Sequence, residues 1–128
     1  MKLLIDTCTF LWLIDETFNL SQRAEEAFLD EGNERYLSTA TVWEISIKYS
    51  LGKIPLYDRP ERVIADLRLK SGIEALHIDE PSALHVAKLP WHHKDPFDRL
   101  LVAQAIVHGM TILTPDQAIE QYAVRTLW

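Results

Sequence analysis

Short apolar runs alternate with longer amphipathic segments along the whole chain. Leu3, Leu4 and Ile5 form a run short enough for one buried strand, and 7–13 follows as a helix. Ser21 has the chemistry of a helix N-cap, Ala24, Ala27 and Phe28 share one face behind it, and Gly32 closes the segment. Residues 35–38 read as a second strand, 41–51 as a helix closed by Gly52, and Pro60 precedes an amphipathic stretch that reaches Ile73. A third strand is expected over 75–78 and a helix over 81–89. The segment 97–108 is apolar on nearly every side, which predicts a helix buried from several directions. Residues 111–113 form a fourth strand, Pro115 starts a short helix, and 123–126 suits a last strand. Strand and helix alternate throughout, without repeat or linker. The pattern predicts one α/β domain over 1–128 with a mainly parallel sheet of four or five strands.

Composition narrows the reading further. The chain has 128 residues, enough for one substantial core. No apolar stretch approaches the length of a membrane span, and Asp6 interrupts the first apolar run too early for a signal peptide. The single cysteine, Cys8, excludes a disulfide within the chain and fits a reducing cytoplasm. The net charge of -6 has the wrong sign for holding nucleic acid on a broad basic surface. It fits either simple solubility or acids concentrated around a divalent cation.

Four acids fall at equivalent places. Asp6 ends the first strand. Glu44 and Asp98 are expected in the first turns of their helices, and Asp116 follows the fourth strand. In an open parallel sheet these positions lie along one edge, where ligands bind. Each acid alone has a structural explanation. Thr41 and Glu44 fit a capping box, Asp95, Pro96 and Asp98 fit an N-cap with its first turn, and Asp6 and Asp116 can cap the helices after them. Together they would raise one another's pKa unless a cation sits among them, and carboxylates with water are the ligands of Mg²⁺ or Mn²⁺. No Gly-rich phosphate loop and no Ser-His-Asp set is readable.

The motifs Leu4-Ile5-Asp6-Thr7, Thr41-Val42-Trp43-Glu44, Asp95-Pro96-Phe97-Asp98-Arg99-Leu100-Leu101 and Leu113-Thr114-Pro115-Asp116 stand in order across nearly the whole chain. In this the chain resembles the PIN-domain ribonucleases found as VapC-type toxins of bacterial toxin–antitoxin pairs. The resemblance implies a three-layer sandwich of helices around the sheet. It also implies a Mg²⁺ or Mn²⁺ site at Asp6, Glu44, Asp98 and Asp116, cleavage of RNA to 5′-phosphate and 3′-hydroxyl ends, a cognate antitoxin that blocks the site, and a homodimer. Carried over position by position, a small hydroxyl residue of the site falls on Thr7, with Thr114 as a second candidate. Cys8 departs from the histidine common in this subgroup.

Asp6 and Asp98 rank first as direct ligands, then Glu44, then Asp116. Asp95 reads as a helix cap. Arg99, Lys48 and Lys94 are candidate phosphate contacts, although surface charge or ion pairing explains each as well. His92 and His93 are expected in a loop at the rim. Trp12, Trp43 and Phe97 suit the core or an interface better than base stacking. Two other functions fit parts of the pattern. A phospho-accepting signalling domain needs a mid-chain acceptor Asp where this chain has Glu44. A non-catalytic module that keeps the fold only to bind its partner is the nearer alternative.

Overall fold

The computed structural model describes residues 1–16 and 19–128. Five strands form one sheet: β1 (Lys2–Ile5), β2 (Glu34–Ser38), β3 (Ile73–Leu76), β4 (Thr111–Leu113) and β5 (Arg125–Leu127), in the order β3-β2-β1-β4-β5. Every neighbouring pair is parallel. Leu4 stands between Tyr36 of β2 and Ile112 of β4. The chain leaves β1 towards β2 and β3 on one side and returns to β4 and β5 on the other. A crevice therefore opens between the carboxyl ends of β1 and β4.

Alternate residues of each strand enter different cores, as the period of two requires. Leu4, Tyr36 and Ile112 face a cluster with Leu101, Val102, Ala105, Ile119 and Tyr122. Ile5, Leu37 and Leu113 face one with Phe10, Ala24, Phe28, Ile45 and Ile64. The helices supplying these clusters include α1 (Thr7–Asp15), α2 (Gln22–Leu29), α3 (Thr39–Ser50) and α4 (Pro60–Ser71) on the second face. On the first face lie α6 (Pro96–His108) and α7 (Gln117–Glu120), with α5 (Glu80–His85) and a 3₁₀ turn, Val86–Lys88, beside them. The result is the expected three-layer α/β sandwich. Among the described residues no helix is long and apolar enough to cross a membrane.

Several boundaries differ from the sequence expectation. The third strand begins at Ile73, because Gly72 takes a left-handed conformation (φ 61°) that ends α4 and releases the chain directly into β3. The segment 81–89 is a short helix running into a 3₁₀ turn. The last strand lies two residues further on than expected at its start. Helix α3 starts at Thr39 with Ser38 as its cap, two residues before the expected start.

Helix α6 is buried all along one flank, yet it carries a polar residue there. Gln104 is fully buried, accepts from Ser38 Oγ at 2.6 Å and donates to the His77 carbonyl at 3.3 Å. This one amide ties α6 to the ends of β2 and β3. Gln104→Leu strands both partners, so it should cost about 1–3 kcal/mol. The expected reading is a lower urea midpoint with an unchanged m-value.

Candidate active site

The four acids are delivered to the sheet edge by the elements the sequence assigned to them. Asp6 follows β1 and caps α1, its Oδ1 accepting from the Thr9 amide at 2.8 Å. Its Oδ2 accepts from the Thr114 hydroxyl at 2.5 Å, which joins the ends of β1 and β4 across the crevice. Asp116 caps α7 by accepting from the Ala118 amide at 2.9 Å, and its own amide donates to Thr114 Oγ1 at 3.0 Å. Thr114 thus serves both acids and is fully buried.

Glu44 stands in the second turn of α3, five residues beyond its first residue. The capping-box explanation therefore fails for it: Ser38 does the capping, and Thr41 lies buried within the helix. Glu44 is 5% exposed. Its Oε1 accepts from Thr7 Oγ1 at 2.6 Å and its Oε2 pairs with Lys48 at 2.8 Å. The hydroxyl expected at Thr7 is thus in contact with a site acid, as is that of Thr114.

Asp98 sits in the first turn of α6, behind the cap Asp95, which accepts from the amides of Phe97 (2.9 Å) and Asp98 (3.3 Å). The expected N-cap role of Asp95 is what the structure shows. Burial first, and then the charges of Asp95, Asp116, Glu44 and Asp6, push the Asp98 carboxyl up to about 7. Asp6 is raised as well, chiefly by burial, against the pull of its hydrogen bonds to Thr114 and Thr9. All four predicted acids, with Asp95, therefore share one electrostatic field. Among the described residues, however, no three His, Cys, Asp or Glu side chains are gathered as a ready-made metal cage.

The donor set still fits a hard divalent cation. It consists of carboxylates and threonine hydroxyls, and each carboxylate oxygen that accepts one hydrogen bond keeps a second lone pair. Lys48 is held protonated more firmly than usual by its hydrogen bond to Glu44, with Asp95 and Asp98 adding to the effect. One lysine does not balance five acids.

The remaining candidates divide clearly. Lys94 is exposed, and Lys48 is committed to Glu44. Arg99 is neither a surface charge nor free for phosphate. It is 2% exposed and donates to the carbonyl of Pro90 at 2.7 Å and the hydroxyl of Tyr122 at 3.0 Å, with Trp91 stacked 3.8 Å from its guanidinium. Trp43 is not core: it is 59% exposed and meets Phe97 edge-on at 5.2 Å, while Trp12 packs on Trp128. His92 and His93 lie in the loop before α6, as expected. His93 reaches Asp98 Oδ2 at 3.4 Å and Tyr122 at 2.8 Å. Tyr122 is the residue sequence reasoning missed, since an isolated tyrosine in an apolar segment carries no signal of its contacts. The Cys8 thiol is exposed, and burial followed by the charges of Asp6, Asp116 and Asp98 keeps it protonated to higher pH than usual.

The family model described as PIN domain matches residues 3–125. No curated protein matches the chain significantly in sequence. Among solved structures, VapBC2 from Rickettsia felis, bound to a DNA fragment from their promoter, is similar at TM-score 0.72 and 15% identity, covering 98% of this chain and 97% of that one. VapBC-1 from nontypeable Haemophilus influenzae gives 0.66 and 18%, covering 98% and 96%. FitAcB from Neisseria gonorrhoeae gives 0.55 and 22%, covering 97% and 95%. At these identities the likeness concerns the fold.

The raised Asp98 carboxyl makes a stability prediction. Folded, it titrates near 7; unfolded, near 3.8. Between those values the unfolded chain binds fewer protons, so stability falls as pH rises from about 4 to about 7. Without divalent metal, the melting temperature should drop across that window. Asp98→Asn should flatten the slope and melt higher than the parent at pH 8. A parent and mutant with superimposable profiles would contradict this.

Proposed function

The chain belongs to the PIN domain family, and from that premise we propose that it is a metal-dependent endoribonuclease, the toxin of a toxin–antitoxin pair. Members of this family are generally nucleases. The observation that carries the proposal is that Asp98 lies partly buried in the field of Asp95, Asp116, Glu44 and Asp6, where burial first and then those charges push its carboxyl up to about 7. A sheet edge designed only for stability would use Ser, Thr or Asn at its caps and avoid that repulsion.

Asp6 and Asp98 would hold a Mg²⁺ or Mn²⁺ ion, with Glu44 and Asp116 completing the set. Such a cation, when bound, supplies charge neutralisation at the scissile phosphate and a bound water of lowered pKa. The residues of the chain prepare the place. Thr114 fixes one oxygen of Asp6, and the Thr9 amide fixes the other. Thr7 and Lys48 hold the two oxygens of Glu44. The amino ends of α1, α6 and α7 turn their partial positive charge towards Asp6, Asp98 and Asp116. Without a cation the acids would repel the RNA backbone, so substrate binding should depend on the ion. Lys94, exposed and next to Asp95 in sequence, is a cation available to meet phosphate.

A cognate antitoxin is supported by the likeness to VapBC and FitAcB structures. Protein contacts in general, including a homodimer, are supported by large apolar side chains left in solvent, among them Leu29, Trp43, Leu69 and Leu84. A cytoplasmic setting suits the single exposed cysteine.

Mn²⁺ should raise the melting temperature of the parent by mass action and do little for Asp98→Asn. Equal responses would remove the shared site. In Mg²⁺, the parent should cut a structured RNA pool, and Asp6→Ala should lose at least about 100-fold in rate, equivalent to roughly 2.7 kcal/mol of barrier. Cleavage at the same sites and rates by both proteins would overturn the assignment.

A further inference from the structure

We propose that His93 is a positioning residue for Asp98, its tautomer set by the buried Arg99 through the buried Tyr122, so that the chain Arg99→Tyr122→His93→Asp98 aims the carboxylate into the site. The inference rests on the metal-site reading of Asp98 given above.

The direction of the chain follows from what each group can donate. Arginine has only donors, so its Nη1 donates to the Tyr122 oxygen at 3.0 Å. Tyr122 is 3% exposed, and its hydroxyl meets Arg99 and His93. Its own proton needs an acceptor, because a buried hydroxyl proton without one carries the full desolvation penalty. Arginine cannot accept. The proton therefore goes to His93 Nδ1 at 2.8 Å. A neutral imidazole that accepts at Nδ1 carries its hydrogen on Nε2, which faces Asp98 Oδ2 at 3.4 Å. With Asp98 ionised, as a metal ligand must be, the opposite tautomer would place two hydrogens between His93 and Tyr122 and two lone pairs between His93 and Asp98.

Arg99 also builds the loop that carries His93. Besides Tyr122 it donates to the carbonyls of Pro90 (2.7 Å), Leu89 (3.4 Å) and Val86 (3.4 Å), and Trp91 lies over its guanidinium at 3.8 Å. His92 and His93 both pack against the Tyr122 ring, at 4.8 and 5.4 Å between centroids. The loop, the end of α7 and the start of α6 are thereby fixed to one another. Partners of this kind orient metal ligands elsewhere, and their loss typically costs about 10–100-fold in metal affinity or activity.

Two measurements test the chain. Nitrogen-15 NMR of the imidazoles in metal-free protein, at a pH well above 7 so that Asp98 is ionised and with the His93 signals identified by their loss in His93→Gln, should show the Nε2–H tautomer in the parent and a mixture in Tyr122→Phe. The Nδ1–H tautomer in the parent would overturn the proposal whatever the site binds. Mn²⁺ titration followed by thermal shift should show apparent Kd raised about tenfold or more in His93→Leu and Tyr122→Phe. His93→Gln, which keeps a donor for Asp98, should stay within about threefold of the parent, by the same reasoning. Tyr122→Phe keeps the ring in the core and carries the test if His93→Leu fails to fold. Unchanged Mn²⁺ binding in folded variants overturns the positioning role and leaves the site reading intact. A parent that does not respond to Mn²⁺ removes both.

Discussion

Repulsion among carboxylates at the edge where β1 and β4 part is the constraint around which the rest of the molecule is arranged. Asp6, Glu44, Asp95, Asp98 and Asp116 carry one sign of charge, and Asp98 is pushed up to about 7 by burial and by the other four. The fold offsets this with means that leave the acids in place. Three are helix caps, Asp6, Asp95 and Asp116, whose oxygens accept backbone amides at helix starts. Asp6 and Glu44 each take a threonine hydroxyl, and Glu44 takes Lys48. None of these partners neutralises Asp98. The site is therefore left with excess negative charge in a partly buried place, which is a stability cost typical of functional sites.

The all-parallel sheet explains why acids so distant in sequence meet. Each strand delivers its carboxyl end to the same edge, and the order β3-β2-β1-β4-β5 puts the reversal beside β1. Period-two alternation divides the strand residues between two cores, so both faces of the sheet are covered. Two buried polar side chains of α6 are paired in tertiary contacts. Gln104 holds Ser38 and the His77 carbonyl, and Arg99 holds the loop before α6. Arg99 looks like a phosphate ligand in sequence because it follows Asp98. In space it is buried in the loop before α6, where carbonyls, the Tyr122 hydroxyl and an indole face replace water around its charge.

What could be read in the sequence was what local chemistry decides. The strands, the buried α6, the cap at Asp95 and the placement of the four acids follow from periodicity and capping. Ser21 and Pro96 mark their helix starts, as does Asp116. The failures came where a tertiary or turn effect overrode a local one. Gly72 redirected the chain earlier than the apolar pattern implied, and the true cap at Ser38 displaced the capping box at Thr41. The contacts around Asp98 were illegible because Tyr122 is 24 positions away from it in sequence and belongs to another element. Trp43 suited core or interface by its spacing; α3 presents it to solvent beside Phe97, which rules out the core alone.

The hydroxyl bond between Thr114 and Asp6 spans 108 positions of chain. Its two strands are neighbours in the sheet but are far apart in the order of synthesis. A growing chain on the ribosome has β1, α1 and α3 long before β4 exists to close the crevice. Closing so long a loop is also slow relative to local helix formation. Fragments that stop short of β4 thus hold Asp6 and Glu44 without the strand that brings Thr114 and Asp116 to them.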